Sequence, residues 1–288
     1  MTDQAESLRT QLIQTTANRP KGKSIAIMSG KGGVGKSNVA LNFAISLCHK
    51  GNKVLVVDLD IGMGNLDILM GETSKYTIAD FFKGEADLRK MIESGPNGLQ
   101  YIAGGTGLSE LLALDDRLIE QFVYQLGEIV NQYDFVFFDM GAGVTADSAK
   151  FILAADEIIV VLTSEPTAMT DAYAAIKYIH LMDSQIPFQI VINRVESEKE
   201  GLDSYGRLSA VINKFLHRDI AYLGSISEDR AIHQAVKRQI PFIILNKNSH
   251  SARSIERIVG NYCRKSHSSS IHPNKKFITK LKQLLLGR

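Results

Sequence analysis

Gly30-Lys31-Gly32-Gly33-Val34-Gly35-Lys36-Ser37 is the most informative segment of the sequence. It satisfies G-x-x-x-x-G-K-[S/T] and sits between an apolar, β-branched run at 24–29 and a helical pattern starting near Lys36. Strand, glycine loop and helix are the three parts a phosphate cradle needs. The glycines let successive backbone N–H groups wrap an anion, and the helix N-terminus adds its partial positive charge. In such a loop Gly32, Gly33, Val34, Gly35 and Asn38 line the nucleotide, Lys36 reaches the β- and γ-phosphates, and the Ser37 hydroxyl ligates Mg²⁺.

Outward from the loop, apolar runs at 53–58, 99–103, 134–139, 157–163 and 188–193 alternate with amphipathic stretches. Near-continuous apolar strands separated by helices predict an α/β fold, a doubly wound, mostly parallel sheet with helices on both faces. Two of these strands end in carboxylates, Asp58 with Asp60 just beyond it and Asp139 with Gly141 and Gly143 behind it. Ligands of such sheets bind at the carboxyl ends of the strands. Asp58 and Asp139 are therefore candidates, with Ser37, for holding Mg²⁺ in phosphoryl transfer. Late in the chain, Asn193-Arg194-Val195-Glu196 departs from the guanine-reading N-K-x-D pattern, which favours ATP over GTP.

Composition narrows the class. The chain has 288 residues, 44% hydrophobic and 22% charged, the mix of an ordinary globular domain with a sizeable core. Cys48 and Cys263 are the only cysteines, too few for a structural zinc site or a self-contained iron–sulfur cluster. His217, His233, His267 and His272 lack metal-ligand spacing and read as surface or linker residues. The polar, acidic start MTDQAESLRTQL does not resemble a signal peptide, so the chain is expected in the cytoplasm.

Charge is unevenly divided. Of 33 Lys and Arg, eight fall between Arg257 and Arg288, where there is no Asp or Glu; the preceding residues carry 25 bases against 31 acids. A basic end on an acidic body points to an anionic surface as partner. The organisation predicted is an N-terminal arm at 1–22, an ATPase domain at 23–265, a serine-rich linker at 266–274 and a last helix at 275–288. In that helix Phe277, Ile278, Leu281, Leu284 and Leu285 share one face while Lys276, Lys280 and Lys282 fall elsewhere. A short, basic, amphipathic helix reads as an interfacial membrane anchor, marginal alone and firmer when two act together. Packing on the chain's own core is the competing reading of the same periodicity.

The extra lysine, Lys31 in Lys31-Gly-Gly-Val-Gly-Lys36-Ser37, is a deviant Walker A signature. With Asp58-Leu-Asp60-Ile-Gly-Met-Gly-Asn65-Leu-Asp67 downstream, the chain resembles the MinD/ParA family of ATPases from about residue 24 to 263. The resemblance implies an ATP-bound homodimer in which Lys31 reaches the partner's phosphates and Asp60 positions or activates the hydrolytic water. It also implies Asp139 as the Walker B carboxylate and Asn193-Arg194 as the adenine-contacting segment. The arm Asp3-Gln4-Ala5-Glu6-Ser7-Leu8-Arg9, the Gly62-Met-Gly-Asn65 switch and the basic tail are most similar to the branch of that family that sets bacterial flagellar number and placement. That branch implies stimulation of an SRP-type GTPase, FlhF, through Asp3, Gln4, Leu8 and Arg9, with Gln4 foremost. It further implies flagellar C-ring proteins as partners, reversible association with the anionic cytoplasmic face of the membrane, and no sequence-specific nucleic acid. A ParA-like DNA-partition ATPase and a MinD-like division-site regulator remain the alternatives.

Overall fold

A computed structural model describes residues 22–60, 64, 66–105, 116–266 and 274–287. The N-terminal arm with Asp3, Gln4, Leu8 and Arg9, most of the Gly62–Asn65 switch, and the linker at 267–273 lie outside the described residues. Among the described residues, no helix is long and apolar enough to cross a membrane.

Eight strands form one sheet: β1 (Lys23–Ser29), β2 (Val54–Leu59), β3 (Glu93–Ser94), β4 (Gln100–Ile102), β5 (Phe135–Ala142), β6 (Glu157–Thr163), β7 (Phe188–Val195) and β8 (Ala221–Ser227), in the order β3-β4-β2-β5-β1-β6-β7-β8. Every pairing is parallel except β3 with β4. The central strands are buried along their length because helices cover both faces, so their sequences read as unbroken apolar runs. Two strands do not stand out in sequence. β8 carries glycine and serines and is only half covered, and β3 is a two-residue edge pair.

One face is covered by α1 (Lys36–His49), α2 (Leu66–Met70), α8 (Arg230–Arg238), α9 (Phe242–Leu245) and α10 (His250–Ser266). The other carries α4 (Asp116–Val130), α5 (Ala146–Ala154), α6 (Pro166–Met182) and α7 (Glu198–Leu216), while α3 (Ile78–Phe82) packs at its edge. The crossovers from β4 to β5 and from β5 to β6 each pass over one strand, because β2 and β1 were laid down earlier. A slot is left between α4 and α5, over β5.

The C-terminal helix α11 (Asn274–Leu286) fills that slot. Phe277 and Leu281 are fully buried, and the Phe277 ring stacks on Phe138 of β5. Ile278, Leu284 and Leu285 are half-buried against the same core, with Ile278 fitted to the bare backbone of Gly127. The apolar face expected to meet lipid is therefore turned onto the protein. Two of its lysines are paired as well: Lys280 Nζ lies 2.9 Å from Asp183 Oδ2, and Lys282 Nζ lies 3.7 Å from Glu120 Oε1. Because Ile278 meets Gly127 while Lys282 meets Glu120, α11 runs antiparallel to α4. Its end consequently points to the edge where β5 and β1 deliver their carboxyl-terminal loops.

Candidate active site

The loop after β1 turns through Gly33 and Gly35, both with positive φ (77° and 88°). At Gly35 a side chain is excluded twice over, by the backbone angle and by Asn193 Nδ2, which an added Cβ would approach to 2.5 Å. Gly35 is also the N-cap of α1, and the helix starts with no side-chain cap and no acidic residue in its first turn. Its leading N–H groups and its dipole are left for an anion.

Around this helix start opens a cavity of about 780 Å³. Its walls include the predicted Gly32, Gly33, Gly35, Lys36, Ser37, Asn38, Asp60, Asn193 and Arg194. Val34 is buried behind the loop, and its carbonyl accepts a 2.8 Å bond from Asn193 Nδ2, which ties the loop to β7. Arg194 takes a left-handed conformation (φ 59°) at an irregularity in the β7–β8 pairing and is exposed at the cavity mouth. The far wall, with Leu69 of α2, Ile232 and Val236 of α8, and Phe242 of α9, is apolar and suits a planar base. No motif marks those four residues. Glu228, just after β8, also lines the cavity, 3.2 Å from His233.

The carboxylates converge as their strands do. Asp58 and Asp139 are direct neighbours in the register of β2 and β5. Lys36 Nζ bonds Asp139 Oδ1 at 2.5 Å and lies 4.0 Å from Asp60 Oδ2. The other Asp139 oxygen, the Ser29 hydroxyl and Asn193 Oδ1 are buried without a hydrogen-bond partner. Buried acceptors of this kind are costly unless something fills the site. Together with the uncapped helix they fit a Mg²⁺-nucleotide. Ser37, Asp139 and, through its neighbour, Asp58 would hold the ion.

Asp58 is almost as enclosed as Asp139. It accepts from the Asp60 N–H (2.9 Å) and the Leu66 N–H (3.4 Å), so the same carboxylate shapes the turn leading to Asp60 and the start of α2. Burial, and then the adjacent Asp139 carboxylate, push its carboxyl up to about 7. Burial also raises Asp60, which keeps a quarter of its side chain exposed toward the cavity.

Lys31 stands apart. It is missing from the described cavity wall and points to Glu165 and Thr167 at the start of α6, 3.2 Å from each. Residues 22–192 match a family model described as "AAA domain". The chain belongs to the MinD/ParA family. Among its MinD/ParA relatives it is similar to the antiactivator FleN of Pseudomonas aeruginosa, 34% identical over 215 residues, covering 75% of this chain and 77% of FleN. It is also similar to the flagellum site-determining protein YlxH of Helicobacter pylori, 37% identical over 245 residues, 84% of this chain and 82% of that one. The MinD/ParA fold is seen in the cell division ATPase MinD of Pyrococcus furiosus, with a TM-score of 0.70 at 24% identity over 85% of this chain and 99% of that one. MinD of Pyrococcus horikoshii, solved with Mg-ADP, gives a TM-score of 0.70 at 23% identity over 86% and 99%.

His217 and His233 are exposed, while His267 and His272 lie outside the described residues. In α6, Ile176 is buried and Tyr178 is 41% exposed.

Proposed function

We propose that this chain is an ATP-dependent dimerising ATPase switch that regulates flagellar number and placement. The observation that carries the dimer is the separation of two lysines: Lys36 is enclosed among the carboxylates of its own cavity, whereas Lys31 lies outside that cavity with its side chain open to solvent. A lysine so placed contributes to hydrolysis when a second protomer brings its own phosphates to it. The flagellar assignment rests on the similarity to FleN and YlxH.

In this reading the loop N–H groups and Lys36 bind the phosphates, Asp60 orients the attacking water, and Lys31 of each protomer neutralises charge on the other's nucleotide. Ser37 and Asp139 would hold Mg²⁺, which would supply positive charge to offset that of the phosphates. Lys36 must exchange Asp139 for phosphate as ATP enters, which leaves Asp139 to the ion. The end of β5 and residues 143–145 join Asp139 to α5, and α5 forms one wall of the slot that holds α11. Nucleotide state therefore has a short path to the tail. We infer that the tail alternates between this slot and an anionic membrane, where each released lysine contributes about 1 kcal/mol. Two tails on an ATP dimer hold together better than one.

The arm supplies the second output, stimulation of the SRP-type GTPase FlhF, and C-ring proteins are further partners. Gln4→Ala is expected to abolish GTPase stimulation while leaving the chain's own ATPase intact. The direct test is to count flagella in cells whose copy carries Lys36→Ala or Asp60→Ala. Counts that match wild type would remove the flagellar reading and bring forward the division-site or DNA-partition alternatives.

A further inference from the structure

The contact that holds Lys31 is built from two independent features of α6. Lys31 Nζ donates to Glu165 Oε2 and to Thr167 Oγ1, both at 3.2 Å. Just before it, Gly30 is pressed against the backbone of Asp171 and Ala172, where an added Cβ would sit 2.2 Å from the Asp171 carbonyl carbon. The entry to the phosphate loop is thus seated on the second turn of α6, and the base of the Lys31 side chain has a fixed place.

That place is unfavourable for a cation. It lies beside the N-terminal end of a 17-residue helix, where the helix dipole is positive. Glu165 occupies the N-cap position ahead of Pro166, yet its side chain makes no capping bond to the helix. Its carboxylate is turned to Lys31 instead, where it reverses the local field. Both side chains are open to solvent, 43% and 61% exposed. An exposed pair is weak and sensitive to salt, as a contact broken in every cycle needs to be.

We infer that Glu165 is a positioning residue that keeps the Lys31 ammonium on its own protomer until a second, nucleotide-loaded protomer offers it phosphate oxygens. This rests on the reading in which Lys31 acts across the dimer. A carboxylate in cis competes with a triphosphate in trans, so Glu165 sets the concentration at which protomers pair without touching the reacting atoms. Glu165→Gln keeps the size of the side chain and removes the charge.

The test is steady-state ATP turnover of the full chain as a function of protein concentration, for wild type, Glu165→Gln, Thr167→Val and Lys31→Ala. Glu165→Gln is expected to reach half-maximal turnover at about two- to fivefold lower protein concentration with the same maximum. Thr167→Val should shift in the same direction by less, and added salt should shrink the gap between Glu165→Gln and wild type. A merely structural role would lower the maximum and leave the half-point alone. If Lys31→Ala is inactive but Glu165→Gln shows an unchanged or higher half-point, the restraint is overturned and the trans reading stands. If Lys31→Ala turns over like wild type, the trans reading falls and takes the restraint with it.

Discussion

Phe277 of the tail stacks on Phe138 of the sheet, with ring centroids 4.9 Å apart and planes 23° apart, and Phe138 is the residue immediately before Asp139. A single peptide bond in β5 therefore joins the residue whose carboxylate pairs with the phosphate-loop lysine to the one whose ring supports the tail.

Removing the tail should expose that slot. A chain ending at Ser270 loses the cover over Phe138, so it is expected to melt lower and to bind an apolar dye that the full chain excludes. Phe277→Ala, which empties a fully buried aromatic site, should weaken docking by about 3–5 kcal/mol. Thermal melts with and without the dye check both.

Release can also be driven from the body. Burial tends to raise the Asp183 carboxyl, but the Gln185 N–H, the hydrogen bond from Lys280 and the charges of Lys280 and Arg218 outweigh it and hold it below the ordinary range. A carboxylate depressed in this way stabilises the docked state above its normal pKa and loses that effect as pH falls through the lowered one. Asp183→Asn with Glu120→Gln should raise deuterium uptake across residues 277–285 at neutral pH, and the difference from wild type should fade below pH 4. Equal uptake at pH 7 would show that the ion pairs do not retain the tail.

Asp58 carries the opposite sign. The unfolded chain loses this proton near 3.8 and the folded protein near 7, so folded stability falls as pH rises between them. Asp58→Asn removes that slope. Without nucleotide, its melting temperature relative to wild type should climb from pH 5 to pH 8, reaching a gain of roughly 5 °C, while Mg²⁺-dependent turnover is lost. A constant offset across pH would mean that the carboxyl titrates normally.

Lys36 should prove structural as well as functional. Lys36→Ala leaves Asp139 buried without its cation, at a cost of about 3–5 kcal/mol, and abolishes nucleotide binding. Adding Asp139→Asn should restore most of the stability but none of the binding. Denaturant melts and titration with a fluorescent nucleotide separate the two effects.

Much of this was legible in sequence because it is local. The loop from Gly30 to Ser37, the strands ending in Asp58 and Asp139, and the segment at Asn193 each carry their chemistry within a few residues, and burial on both faces makes the strands read as apolar runs. The base-side wall was not legible, since Leu69, Ile232 and Phe242 reach one cavity only through the packing of α2, α8 and α9. The tail shows the same limit from the other side. Periodicity placed Phe277, Ile278, Leu281, Leu284 and Leu285 on one face correctly, but an apolar stripe does not say what it meets, and the slot over β5 is a consequence of strand order.

Co-sedimentation with anionic liposomes, in ATP and in ADP, of the full chain beside one ending at Ser270 bears most directly on the proposed switch. Pelleting is expected only when ATP and the tail are both present. Pelleting indifferent to nucleotide and tail alike would mean that α11 is a permanent part of the core and not an anchor.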